Sequence, residues 1–247
     1  MIAYRIRQQW ARGAKLVRIL SAPDYRLALR RGVAAAVEHE HLRLPIEPGT
    51  VLDVGANRGQ FALVAAHRWP HARLVCFEPL PSAAAQLTSV LAATPQAEIH
   101  HVALAAEPGE VKMHVSKADD SSSLLSIGAR QSQTFPGTEE VGLISVQAAR
   151  LDDELDVAAL PGPVLLKIDV QGGELGVLHG AERSLQHVDA VLVECSFVEF
   201  YDGQPLAHEV LDFLRGHGFR LTGAGTPTTD ARGSVVQIDM LFARDAD

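Results

Sequence analysis

Acidic residues stand at the ends of four apolar, strand-like runs in this chain. Asp53 lies at the end of the run TVLDV, Glu78 follows LVCF, and Asp169 and Glu194 end two later runs. Acids in such positions can hold a ligand or accept a proton, because ligands of open parallel sheets bind beyond the carboxyl ends of the strands. If the four runs are parallel strands, the acids share one binding edge.

A glycine-rich turn follows the first of these acids. The turn and the helix start after it contain Gly55, Ala56, Asn57, Gly59 and Phe61. A P-loop needs Gly-Lys-Ser/Thr here, and a dinucleotide turn needs a second glycine where Asn57 stands. A ligand without phosphate has no such need. The turn therefore favours S-adenosylmethionine, whose ammonium group suits Asp53 and whose carboxylate suits backbone N–H groups.

Three further segments are expected to contact this cofactor. Glu78 and Pro79 end the second run, where an acid can accept hydrogen bonds from both ribose hydroxyls. NAD enzymes also have an acid at this position, so Glu78 alone does not distinguish the two cofactors. The third run leads into Val102 and Ala103, beside the expected adenine site. A serine-rich loop over 118–140 is predicted to close over the site, with Ser123 donating to the cofactor carboxylate or to a sugar hydroxyl.

The later acids are candidates for the chemistry itself. Asp169 is expected beside the methyl carbon that S-adenosylmethionine would transfer to an acceptor hydroxyl. It could act there as a base, an orienting residue or a metal ligand, since a protonated alcohol is a poor nucleophile. Glu194 faces the same cleft from the next strand, so the two acids could hold a divalent cation such as Mg²⁺ with waters. Glu174 is either a catalytic acid or an acid that stabilises a helix N-terminus.

The elements that position these acids alternate along the chain. Strand-like runs cover 50–54, 73–78, 97–103, 164–170, 189–195 and 234–243, and helical stretches cover 59–68, 81–93, 173–186 and 206–217. This order predicts an α/β fold with a mostly parallel sheet and helices on both faces. The last two strand-like runs have no helix between them, which predicts an antiparallel edge pair. Residues 104–150 interrupt the alternation with a β-rich insertion.

Two domains are predicted, an N-terminal helical segment over 1–45 and a cofactor-binding domain over 46–247. Residues 1–43 hold nine Lys and Arg against three acids, whereas the chain has a net charge of −8. An apolar stripe over 1–20 predicts packing on the same domain, a homodimer contact or a peripheral membrane contact. The acidic body argues against nucleic acid as a partner. Both cysteines lie in apolar runs, which favours reduced thiols. Because neither a signal peptide nor a membrane-spanning run is recognised in the sequence, we predict a cytoplasmic protein.

Several stretches over about 50–222 resemble the FkbM family of S-adenosylmethionine-dependent methyltransferases. They read VLDVGANRGQF, FEPLPS, HHVALAAEPGEVKMHVS, SSSLL, ARLDDEL, LLKIDVQGGELGVLHGAERSL, VECSF and YDGQP. The resemblance implies a class I, Rossmann-like fold with a seven-stranded sheet. It also implies O-methylation of a small molecule, often a sugar, a glycolipid or a polyketide-type product, with Tyr201 and Gln204 lining the acceptor pocket. Gly173 departs from the family, which usually has a bulky residue there.

Two other functions stay open beside this one. An NAD-dependent oxidoreductase is disfavoured by Asn57 and by the lack of a recognisable Tyr/Lys or His/Asp catalytic pair. A non-catalytic module that only binds S-adenosylmethionine is disfavoured by the intact acids Asp53, Glu78 and Asp169.

Overall fold

The computed structural model describes residue 13 and residues 15–244. The strands are β1 (Thr50–Val54), β2 (Arg73–Phe77), β3 (Ala97–His100), β4 (Ala103–Leu104), β5 (Gly109–Ser116), β6 (Glu140–Ala149), β7 (Val164–Ile168), β8 (Ala190–Ser196), β9 (Phe219–Ala224), β10 (Thr228–Thr229) and β11 (Val235–Arg244). The α-helices are α1 (Pro23–Arg30), α2 (Gln60–Arg68), α3 (Pro81–Leu91), α4 (Ala129–Thr134), α5 (Leu151–Glu154), α6 (Glu174–His179) and α7 (Ala207–Gly216).

The central sheet has the strand order β3-β2-β1-β7-β8-β11, and both β9 and β10 pair with β11. The five strands from β3 to β8 are parallel, and β11 runs antiparallel to β8, β9 and β10. The predicted Rossmann-like sheet with an antiparallel pair at one edge is confirmed, with the two-residue β10 in addition to seven strands. Because the five parallel strands point the same way, their carboxyl ends form one edge.

Strand residues of the sheet bury alternate side chains against helices on opposite faces. Val51 and Leu165 belong to a core with residues of α1, α2 and α3. Their chain neighbours Leu52 and Leu166 belong to a second core with residues of α6 and α7. Helices therefore cover both faces, as predicted. In the described part of the chain, no helix is long and apolar enough to cross a membrane.

The insertion forms a separate three-stranded sheet in the order β4-β6-β5. Between β5 and β6, the chain passes through a short 3-10 helix at Asp119–Ser121 and then α4. The sequence predicts one helix over 173–186, whereas α6 ends at His179 and a short 3-10 helix follows at Ser184–His187. A Cβ atom at Gly180 would lie 2.1 Å from the carbonyl oxygen of Ala105, so the insertion packs closely against the end of α6.

The N-terminal segment is helical over 15–21 and leads into α1. Ile19 is buried in the first core, whereas its exposed apolar neighbours are Leu16, Val17 and Leu20. The remaining residues of the predicted apolar stripe lie outside the described residues, namely Ile2, Ile6 and Trp10. The membrane contact, the homodimer and the division of the chain at residue 45 therefore stay predictions.

Candidate active site

A cavity of about 850 Å³ opens at the carboxyl ends of the parallel strands. Its volume lies in the usual range for small-molecule sites. The structure brings to its lining a large group of the residues singled out in the sequence: Gly55, Ala56, Asn57, Phe61, Glu78, Pro79, Val102, Ala103, Ser123, Asp169 and Glu194.

The turn after β1 has a backbone shape that depends on glycine. Gly55 has φ 74°, and a Cβ atom there would lie 1.9 Å from the carbonyl oxygen of Asp169. The ends of β1 and β7 can therefore approach only if this residue is glycine. Gly59 does not line the cavity within the described chain. Its Cβ position lies 3.0 Å from side-chain atoms of Leu87 and Val90, so it serves the packing of α2 on α3.

Glu78 ties this turn to the end of β2. One carboxylate oxygen accepts from the backbone N–H of Asn57 at 2.8 Å, and the other accepts from that of Leu80 at 2.7 Å. Only 4% of the residue is exposed. Burial raises the pKa of Glu78 to about 7, against the opposing effect of the two N–H groups. Each oxygen keeps a lone pair beyond its backbone bond, so the carboxylate can accept further hydrogen bonds from the cavity.

Asp53 lies beneath the cavity floor and is fully buried. The Lys167 ammonium is 2.9 Å from its carboxylate and donates to the carbonyl oxygen of Gly55 at 3.1 Å. Burial opposes the charge of Lys167, but Asp53, Asp169 and Asp239 outweigh burial and raise the pKa of the amine. Asp53 therefore pairs with Lys167 and is not in the cavity lining of the described residues. Its contact with a cofactor ammonium group, directly or through water, stays a prediction.

Gln171 joins the two acids that follow β7 and end β8. Its amide nitrogen donates to Asp169 Oδ1 at 2.7 Å and to Glu194 Oε2 at 2.8 Å. Its amide oxygen accepts from the Tyr201 hydroxyl at 2.8 Å. The residue has φ 57°, in the left-handed region. Sequence reasoning missed Gln171, although a polar residue directly before two glycines in the turn after Asp169 was an available signal.

Glu194 is surrounded by other carboxylates. Burial raises its pKa well above the usual value, and the charges of Asp169, Asp239 and Glu174 raise it further. Asp239 lies opposite Glu194 in the register of β11 and β8, and it also lines the cavity. Sequence reasoning missed Asp239, because only the position of β11 beside β8 shows that it reaches this edge.

Three other residues singled out in the sequence lie behind the cavity wall rather than in its lining, within the described chain. Glu174 accepts from the N–H groups of Gly172 and Val170 at 2.9 and 3.3 Å, so its carboxylate closes the turn before α6. Burial raises its pKa to about 7. The Gln204 side chain bonds to the backbone of Phe200 and to Ser196 within its own loop.

Tyr201, the third of them, connects the turn to the loop above the cavity. Besides Gln171, its hydroxyl reaches the carbonyl oxygen of Ser121 at 3.1 Å. Burial, together with the nearby Glu194 and Asp169, raises the pKa of the phenol, which therefore stays a donor. Because Tyr201 and Gln204 are used in this way, the geometry does not support a direct contact of either with the acceptor.

The serine-rich loop does cover the cavity, as the sequence predicts. Residues 119–125 line it, and the Ser123 hydroxyl donates to the carbonyl oxygen of Gln171 at 2.6 Å. Backbone bonds from Asp202 to Ser126 and from Gly128 to Phe200 attach the loop to the segment after β8. Gly173 lines the cavity as well, so the lack of a bulky side chain there leaves the space open.

The donor set does not fit a divalent cation. Asp169 and Glu194 are already joined by the amide nitrogen of Gln171, a hydrogen-bond donor. Among the residues that the structure describes, no group of three His, Cys, Asp or Glu side chains is arranged to hold a metal ion. We therefore derive no step through a metal.

Comparisons with known proteins find methyltransferases that are similar in sequence to this chain. The chain is 32% identical over 170 residues to the 2-O-methyltransferase NoeI of Sinorhizobium fredii, covering 66% of this chain and 70% of NoeI. It is 28% identical to the 31-O-demethyl-FK506 methyltransferase FkbM of Streptomyces tacrolimicus, covering 74% and 77%. Among solved structures, Aeropyrum pernix fibrillarin with bound S-adenosyl-L-methionine matches 87% of this chain and 72% of its own, at 13% identity and TM-score 0.47.

The strand order, with parallel strands beside an antiparallel edge, and the glycine turn at the cavity are those of a class I, Rossmann-like methyltransferase fold. A family model described as the methyltransferase FkbM domain matches residues 53–221. The chain therefore belongs to the FkbM methyltransferase family.

Proposed function

We propose that this chain transfers the methyl group of S-adenosylmethionine to a hydroxyl oxygen of a small-molecule acceptor, with Asp169 receiving the hydroxyl proton. The observation that supports this proposal best is the position of Asp169. Its carboxylate stands in the lining of the cavity, between the glycine turn on one side and Glu194 on the other.

The residues on the glycine-turn side fit S-adenosylmethionine. Glu78 offers buried carboxylate oxygens with free lone pairs, which suit a ribose diol, and Val102 and Ala103 offer an apolar surface for a base. The close approach at Gly55 leaves backbone rather than side chain at the end of β1. When bound, the cofactor supplies a methyl group on a sulfonium, which an oxygen nucleophile can displace.

The protein's own groups would position the oxygen and hold its proton. Gln171 fixes one oxygen of Asp169, and the other lies 3.9 Å from the Lys167 ammonium. A carboxylate oriented by one hydrogen bond and a nearby ammonium group can accept a proton as the carbon–oxygen bond forms, and orientation supplies much of the rate in such a displacement. Burial, together with the charges of Asp169 and Asp239, raises the pKa of Glu194 well above its usual value.

Relatives support oxygen as the atom that is methylated. NoeI is named as a 2-O-methyltransferase and the Streptomyces relative as a methyltransferase of 31-O-demethyl-FK506. From these two relatives we infer that the acceptor is a hydroxyl group of a sugar, a glycolipid or a polyketide-type molecule.

Cofactor binding can be tested with S-adenosylhomocysteine, the product form. At 100 times its Kd it should stabilise the folded protein by about 2.7 kcal/mol, which raises Tm by about 5–10 °C for a chain of this size. NADH should cause no shift, and a shift with NADH alone would favour the oxidoreductase.

Catalysis can be tested with Asp169→Asn. We expect the variant to keep the shift with S-adenosylhomocysteine and to lose transfer of a labelled methyl group. Asp153→Asn is a matched control, since Asp153 is an exposed acid paired with Arg183. Full transfer by Asp169→Asn would refute the role of Asp169 as base.

A further inference from the structure

One wall of the cavity comes from two segments that lie outside residues 53–221. We call it the outer wall, and its members are Lys15, Ala34, Ala36, Glu38, His39, Thr226, Pro227, Thr228, Gln237 and Asp239. The matched family domain supplies the glycine turn, Glu78, Asp169 and Glu194. The outer wall is therefore added to the shared domain, on the side where the sheet ends in β11.

His39 is held rigidly in this wall. Its Nδ1 lies 3.1 Å from the carbonyl oxygen of Ala36, and its Nε2 lies 3.4 Å from Asp239 Oδ2. Its ring meets the ring of Phe61 edge to face, at 5.3 Å between centroids. The backbone N–H of Ala36 donates to the carbonyl oxygen of Gln60, which anchors the segment to α2. Both ring nitrogens face oxygen acceptors, an arrangement that a protonated imidazole satisfies.

Asp239 connects the outer wall to the acids of the proposed reaction. It lies opposite Glu194 across the β8–β11 pairing, and Gln171 joins Glu194 to Asp169. Three carboxylates thus follow one another from the outer wall to the proposed base. An acceptor whose hydroxyl reaches Asp169 would lie along this row, because the opposite side of Asp169 belongs to the glycine turn.

The chemistry of the row favours one class of acceptor. Carboxylates, the amide of Gln237 and the hydroxyl of Thr228 are hydrogen-bonding groups, and the apolar members of the outer wall are only Ala34, Ala36 and Pro227. These polar groups are exposed or half-buried in the free protein. A macrocyclic, mostly apolar acceptor would cover them without giving them hydrogen-bond partners, which is unfavourable. A saccharide presents several neighbouring hydroxyls that donate to carboxylates.

We propose that the outer wall is a saccharide-binding subsite in which Asp239, fixed by His39, accepts hydrogen bonds from hydroxyls next to the one that is methylated. The proposal rests on the function proposed above, because it takes Asp169 as the end of the row. It makes Asp239 and His39 specificity-determining residues, contributed by segments that the family domain does not include.

The test uses protein saturated with S-adenosylhomocysteine, so that the cofactor is in place. A panel of methyl glycosides of neutral hexoses and deoxyhexoses is titrated against it by calorimetry, beside the apolar alcohols cyclohexanol and menthol. We expect at least one glycoside to bind and the alcohols not to bind. Binding of the alcohols alone, or of nothing in the panel, would overturn the proposal.

Variants then locate the subsite. Asp239→Asn and His39→Ala should weaken glycoside binding about 10- to 100-fold with unchanged affinity for S-adenosylhomocysteine, which also shows that they are folded. Gly225→Ala should also weaken glycoside binding, without removing a charge, because its Cβ would lie 3.3 Å from the Asp239 carboxylate. Asp212→Asn, an exposed acid on α7, is the control. Unchanged glycoside binding in Asp239→Asn would overturn the proposal.

The two proposals fail in different ways. If S-adenosylhomocysteine does not bind the wild-type protein, the proposed function fails. If it binds but the glycosides bind equally well without Asp239 and His39, only the saccharide subsite fails.

Discussion

The raised pKa of Glu78 predicts a measurable pH dependence of stability. Burial raises the pKa of this carboxyl from its ordinary value of 4.5 to about 7 in the folded chain. The folded state then binds this proton more tightly than the unfolded state. The contribution to stability is fully present below pH 4.5 and is lost as pH rises to about 7. A shift of 2.5 units corresponds to about 3 kcal/mol in the free energy of unfolding.

The perturbation is Glu78→Gln, and the assay is urea unfolding at a series of pH values from 4.5 to 8. Glu174 has a similar pKa, so the wild-type protein should lose stability through both groups, and the variant should lose about 3 kcal/mol less. Glu110→Gln, at an exposed glutamate on β5, should parallel the wild type. Saturating S-adenosylhomocysteine should shrink the Glu78 contribution, because ribose hydroxyls would favour the ionised carboxylate. Parallel curves for Glu78→Gln and wild type would refute this reasoning.

Three further predictions concern the floor of the cavity. Gln171→Leu removes both donors that orient the acids, so kcat should fall about 100-fold with cofactor affinity unchanged, and an unaltered kcat would speak against positioning by Gln171. Lys167→Met leaves Asp53 buried without its cation and should lower the free energy of unfolding by about 3–5 kcal/mol in urea titrations. The control Lys112→Met, at an exposed residue of β5, should unfold like the wild type. Protein treated with EDTA should keep its rate of methyl transfer, and a loss restored by Mg²⁺ would contradict the hydrogen-bonded arrangement of the acids.

The strand ends on the glycine-turn side of the cavity could be predicted from the sequence. Each parallel strand is a short apolar run followed by a turn, and such runs bring their ends to one edge whatever their order in the sheet. This is why Gly55, Glu78 and Asp169 could be assigned to one cavity before any coordinates were known. The direction of a buried side chain was harder to predict. Asp53 precedes the turn but points into the floor, where Lys167 takes its charge.

The outer wall and the contacts of Gln171 could not be predicted in the same way. His39 and Asp239 are about 200 residues apart in the chain and meet only through the placement of two distant segments. Gln171 acts through a left-handed backbone conformation, which directs its amide between two carboxylates. No periodicity of apolar residues encodes either contact, because both arise from tertiary packing.

The position of β11 has a consequence for the newly made chain. This strand follows both β8 and β9 in the chain, yet it lies between them in the sheet. Until the ribosome has released it, the strand AVLVECS of β8 has an unpaired edge, and β9 has no neighbour to pair with. Such an edge is prone to pair with another chain. Synthesis of β11 would therefore both cover this edge of β8 in the nascent protein and bring Asp239 to the binding cleft in one step.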